Sequence, residues 1–192
     1  MSVSGSAATT VCRAIHAELS VAHGLITQDV LLHEQRLLGD NALFAIGVDR
    51  EAHGQRVRQS TPPELDHAML STWEWAQLES VAPPRVVALL ATVFADESWR
   101  RATETATRWK AFGPAFVLIN EMRTSDYESC LLECLYSGIG MMTLARDRCV
   151  ADVCCVPEEQ RPIKRRTINR WIEESLYHGV VSKMGTSLDS LP

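Results

Sequence analysis

Apolar side chains recur along most of this chain at intervals of three and four residues, and three proline steps cut that pattern into pieces of helix length. Such spacing puts one stripe of each piece on a common helical face, so it constrains the fold more than any single motif does. Residues 8–23 carry Val11, Ala14, Ile15, Leu19 and Ala22 on one stripe. Residues 28–45 carry Val30, Leu31, Leu37, Leu38, Leu43 and Phe44, interrupted at Gly39-Asp40. Pro62-Pro63 and Pro83-Pro84 open the next two pieces, since proline in a first helical turn gives up only an amide that has no partner there. The piece 63–80 holds Leu65, Met69, Trp73, Ala76 and Leu78, and the piece 84–110 holds Val86, Val87, Leu90, Val93 and Phe94. Gly113-Pro114 marks a break, and the apolar run 115–122 reads as a short helix. Thr124-Ser125-Asp126 reads as a cap for 127–145, whose face is Leu131, Leu132, Leu135 and Met142. The last helix is predicted from Thr167 to Met184, with Gly185 as its stop. The polar stretch 47–62, with Gly54, Arg56, Arg58 and Gln59, is predicted to be an internal loop. Alternation of period two is scarce, so the expectation is one all-α domain over 1–192, a bundle of seven to eight helices.

The length of 192 residues suits one well-packed core. Hydrophobic residues at 46% and charged residues at 22% exclude a wholly disordered chain. The net charge of −5 argues against a general nucleic-acid binder, which is usually basic. No apolar run is long enough to span a membrane, and the N-terminus lacks the basic-then-apolar pattern of a signal peptide. Six cysteines stand at 12, 130, 134, 149, 154 and 155. Their crowding into one region is unlike a secreted disulfide framework, so reduced thiols and a cytoplasmic placement are expected.

Sites of chemistry are sparse. His33-Glu34 begins like a zinc-protease helix, but no second histidine follows at the required spacing. Ser137-Gly138-Ile139-Gly140 is too short to cradle a phosphate and reads as close helix packing or a turn. Cys130 and Cys134 share one helical face, and their spacing to Cys149, Cys154 and Cys155 fits no common zinc module. Lys164, Arg165, Arg166 and Arg170 form a basic cluster at the start of the last helix, either a solvated surface or a nucleic-acid contact. Five tryptophans suit a core or an interface. Nothing assigns a catalytic pair, a metal set or a cofactor, so a non-enzyme is expected.

Three segments, in order, resemble homology motifs of the Bcl-2 family of apoptosis regulators. Val11 to Gly24, with Ile15-His16, Leu19-Ser20 and Gly24, resembles the family's fourth motif. Val93-Phe94-Ala95-Asp96-Glu97-Ser98-Trp99 resembles the third, and Leu37-Leu38-Gly39-Asp40 is a rival register for it. Cys134 to Met142 is similar to the first motif, and Ile168 to Met184 looks like the helix leading into the second. Tyr136-Ser137-Gly138-Ile139 stands where the family carries Asn-Trp-Gly-Arg, so the ligand-pairing arginine is replaced. The resemblance implies a Bcl-2-like bundle around a central helix, with a hydrophobic groove that captures amphipathic helices of death-motif proteins. It places Phe94, Leu135, Met141 and Met142 on the groove floor or wall, and Tyr136 and Gly138 at its rim. It further implies mitochondrial association through partners, and a second copy of the chain is an additional partner. The rival expectation is a helical nucleic-acid-associated regulator that uses the basic start of the last helix.

Overall fold

A computed structural model describes residues 29–75, 77–78, 81–119, 124–145, 150–158 and 167–184 of the protein. The all-α bundle, with its central helix, is overturned: six strands form one mixed sheet in the order β1-β2-β3-β4-β5-β6, accompanied by five described helices. The strands are β1 (Asp29–Leu37), β2 (Asp40–Val48), β3 (Val87–Phe94), β4 (Ala115–Ile119), β5 (Gly140–Ala145) and β6 (Val150–Cys155). The helices are α1 (Arg50–Arg58), α2 (His67–Thr72), α3 (Trp99–Trp109), α4 (Thr124–Ser137) and α5 (Thr167–Met184). None of the described helices is long and apolar enough to cross a membrane.

The physical reason lies in burial on both faces. A central strand packed on each side is a continuous apolar run, which looks like a fragment of buried helix. Ala115-Phe-Val-Leu-Ile119 is buried at every position, and most of Val87-Ala-Leu-Leu-Ala-Thr-Val-Phe94 is buried too. The piece 84–110 is thus a strand followed by a helix, and 127–145 is a helix followed by a strand. Leu38 and Gly39 both have positive φ, 53° and 92°, the signature of a two-residue hairpin turn between β1 and β2. The expected loop 47–62 instead holds α1, whose N-cap Asp49 accepts from the Ala52 amide at 2.9 Å. Its inward residues are Ala52, His53 and Arg56, so no apolar periodicity announces it.

The chain divides into two compact units: Met1–Ile46 with Leu90–Arg161, and Gly47–Leu89 with Pro162–Pro192. In the first unit β3, β4 and β5 run parallel and β6 returns antiparallel, with Phe94 opposite Val117 and Val117 opposite Met141. Trp109 of α3 packs on this face, with ring centroids 5.4 Å from Phe44 and 5.9 Å from Phe94, and its Nε1 donates to Asp40 at 3.0 Å. The other face gathers Leu43, Ala45, Ala91, Val93, Phe116, Leu118, Met142 and Ala151. Gly140 belongs to this sheet because its backbone lies against the Phe116 ring, where a Cβ would collide.

The second unit is organised around charge. Arg56 of α1 is fully buried and grips Glu174 of α5 with both terminal nitrogens, at 2.8 and 3.0 Å. Its remaining donors reach Thr61 O, Pro62 O and Pro84 O. Glu174 also accepts from the Glu64 amide at 3.0 Å and pairs with Arg170 at 2.8 Å. The bidentate grip and these added bonds offset the cost of removing the ions from water. Tyr177 completes the cluster, beneath the Arg56 guanidinium at 5.0 Å and hydrogen-bonded to His53 at 3.0 Å. Burial holds its phenol above the usual tyrosine range, partly opposed by Arg56.

Candidate functional site

Helix α4 presents an unusual pair of faces. Its inward residues are the small thiols Cys130 and Cys134, one turn apart and fully buried. The outward side carries Leu132, Leu135 and Tyr136, exposed to 67%, 56% and 92%. Their spacing of three and four residues makes them one ridge, and Glu128 and Glu133 beside it are exposed too. Single exposed apolar residues are ordinary, whereas three large ones on a shared helical ridge form a contiguous patch.

The end of α4 is built to hold that ridge in place. Gly138, at φ 63°, takes the left-handed position that ends the helix. Its amide donates to Leu135 O at 3.2 Å, and the Ile139 amide donates to Cys134 O at 3.0 Å. Lys110 adds its ammonium to Ser137 O at 3.0 Å, where a cation suits the negative end of the helix dipole, and pairs with Glu158 at 3.2 Å. A Cβ at Gly138 would strike both Lys110 Nζ and Glu158 Oε2.

The six residues expected to bind a partner therefore separate. Leu135 and Tyr136 lie on the exposed ridge, and Gly138 caps the same helix. Phe94, Met141 and Met142 are buried in the sheet, the first two on the α3 side and Met142 in the opposite cluster. Both registers of the third motif have local roles. Asp96 accepts from the Ser98 amide at 2.8 Å at the start of α3 and pairs with Arg101, while Asp40 anchors Trp109. The fourth-motif segment 11–24, Cys12, Cys149, Gly185 and Lys164 to Arg166 lie outside the described residues. Arg170 is turned inward, donating to Pro83 O at 2.9 Å and stacking over Trp73 at 5.2 Å. Burial holds its guanidinium below its ordinary value, with Glu174 opposing.

Sequence reasoning put Leu132 on the inner face and so missed the ridge. The signal was present in Cys130 and Cys134, since cysteine is among the residue types most often buried. Among the described residues no group of three or more histidines, cysteines or carboxylates is arranged to hold a metal ion. No family model matches the chain, and no curated protein or solved structure matches it either.

Proposed function

We propose that the protein is a protein-binding regulator whose docking element is the outer face of α4. The single observation that carries this reading is the exposed ridge of Leu132, Leu135 and Tyr136 on a helix whose inner side buries Cys130 and Cys134. A partner of complementary chemistry is an amphipathic helix that lays its apolar i, i+3/4, i+7 residues along the ridge. Glu128 and Glu133 favour basic residues at the flanks of that helix over a second copy of this acidic face. Burying each large side chain contributes roughly 1.5–3 kcal/mol before the costs of association. Three such anchors, with the partner's own apolar residues buried against them, support a weak, transient interaction. The resemblance to the Bcl-2 family enters through the partner class alone, so death-motif peptides form the first panel.

The experiment is an amide chemical-shift titration of the full chain with two kinds of probe. One is the panel of death-motif peptides. The other is a designed amphipathic peptide of about 25 residues, with leucines at i, i+3 and i+7 and lysines at both ends. Shifts centred on 128–138 are expected with at least one probe. Shifts confined to other segments would place docking elsewhere. Concentration-dependent shifts of the same residues without peptide would assign the face to self-association instead.

A further inference from the structure

The exposed ridge of α4 differs at its two ends. Glu128 is exposed and stands one turn before Leu132, in line with it. Leu135 and Tyr136 follow one turn after Leu132, so a carboxylate leads and the apolar anchors trail. At roughly 1.5 Å per residue, Glu128 and Tyr136 are about 12 Å apart along the helix axis. That exceeds the distance of roughly 8 Å over which charge acts at physiological salt. A cation over one end of the ridge is therefore largely screened from the other. Glu133 lies beside Leu132 on the flank of the ridge and favours neither end.

The ends also differ in what already answers their charge. Residues 124–137 carry Asp126, Glu128 and Glu133 and no lysine, arginine or histidine. Glu128 forms no ion pair among the described residues. At the far end Lys110 places its ammonium on Ser137 O at 3.0 Å, against the negative pole of the helix, and Glu158 pairs with it at 3.2 Å. The chain itself thus supplies the cation that a helix C-terminus favours. The charge left to a partner is that of Glu128.

We infer that Glu128 sets the direction of a docked partner helix. The partner lies antiparallel to α4, with lysine or arginine in its last turn over Glu128 and apolar residues over Leu132, Leu135 and Tyr136. Three effects agree on this direction. The cationic turn meets the exposed carboxylate. Cations in a last turn also suit the partner's own helix dipole. Antiparallel packing sets unlike poles of the two helices side by side. The reverse arrangement brings the partner's cationic end toward Lys110, whose carboxylate is already paired. This inference rests on the docking function proposed above, and adds to it a direction and the residue that sets it.

The test is an amide chemical-shift titration of the full chain with two amphipathic peptides of identical composition. Both carry leucines at i, i+3 and i+7; one has its lysines in the last turn and the other in the first. A nitroxide amino acid built into either end of each peptide broadens the amides nearest to it. At about 10 mM salt the peptide with C-terminal lysines should bind about threefold more tightly, the effect of one exposed charge pair, and at about 0.5 M salt the two should converge. A nitroxide at its C-terminal end should broaden amides 126–130 most, and one at its N-terminal end amides 134–138. The preference should vanish in Glu128→Gln and persist in Glu133→Gln. Equal affinities in the wild-type chain, the opposite broadening, a preference that survives Glu128→Gln, or an equal loss in Glu133→Gln overturns the inference and leaves the docking reading standing. No shifts on α4 with either peptide, from a chain shown to be folded, overturn the docking reading and the inference with it.

Discussion

Helices α4 and α5 break the same rule in opposite directions. The rule is that a helix buries its apolar stripe and exposes its charges. In α5, Glu174 and Ser175 are buried alongside Ile172, Leu176 and Val180. In α4, two leucines and a tyrosine stand in solvent. The difference is whether a complement exists within the same unit. Glu174 meets Arg56, Arg170 and the Glu64 amide, so its inversion is explained by architecture. The ridge of α4 stays exposed, and the proposed partner would supply its complement.

The comparison breaks most readily at the buried charge. Arg56→Met should destabilise the protein by about 3–5 kcal/mol, because Glu174 then keeps its charge without the bidentate partner. Urea unfolding read by tryptophan fluorescence measures this. Arg56→Lys should fall between that variant and wild type, since an ammonium keeps the charge but not the fork. A cost under about 1 kcal/mol for Arg56→Met would reduce the cluster to the weight of a surface pair. A core truncation in the first unit, Phe116→Ala, should cost a similar amount, about 3–5 kcal/mol, through loss of apolar contacts rather than charge.

A smaller effect is expected at the end of α4. Gly138→Ala should cost about 1–2 kcal/mol, because a side chain is disfavoured at its positive φ and its Cβ meets Lys110 and Glu158. Hydrogen exchange should show the last turn of α4 opening faster, with the sheet amides unchanged. Equal acceleration across the sheet would mean that this cap holds more than its own helix.

These contrasts also explain what the sequence could and could not show. The span Thr167–Met184 is a helix in the structure, as its periodicity predicts, and the break at Gly39-Asp40 was legible from turn chemistry, whereas Thr124-Ser125-Asp126, read as a cap ahead of 127–145, forms the first turn of α4. The strands were not. Val87 to Phe94 and Ala115 to Ile119 are apolar at nearly every position because they are covered on both faces, and a short run of that kind carries no period. Arg56 was assigned to a loop because its partner lies 118 residues away, and local pattern carries no trace of so distant a pair. On α4 the apolar residues were assigned inward by rule, and the structure leaves Leu132 and Leu135 exposed instead.

The smallest expected effect on stability carries the largest on function. Leu135→Glu and Tyr136→Ser sit in solvent, so each should change unfolding free energy by no more than about 0.5 kcal/mol. Titration calorimetry of the reduced chain against the death-motif panel and the lysine-flanked peptide decides whether the outer face of α4 docks a partner. Heat of binding is expected for at least one peptide with the wild-type chain, and its loss in both variants while their unfolding curves overlay the parent. Binding that survives both substitutions, or no heat with any peptide from a chain shown to be folded, would contradict it.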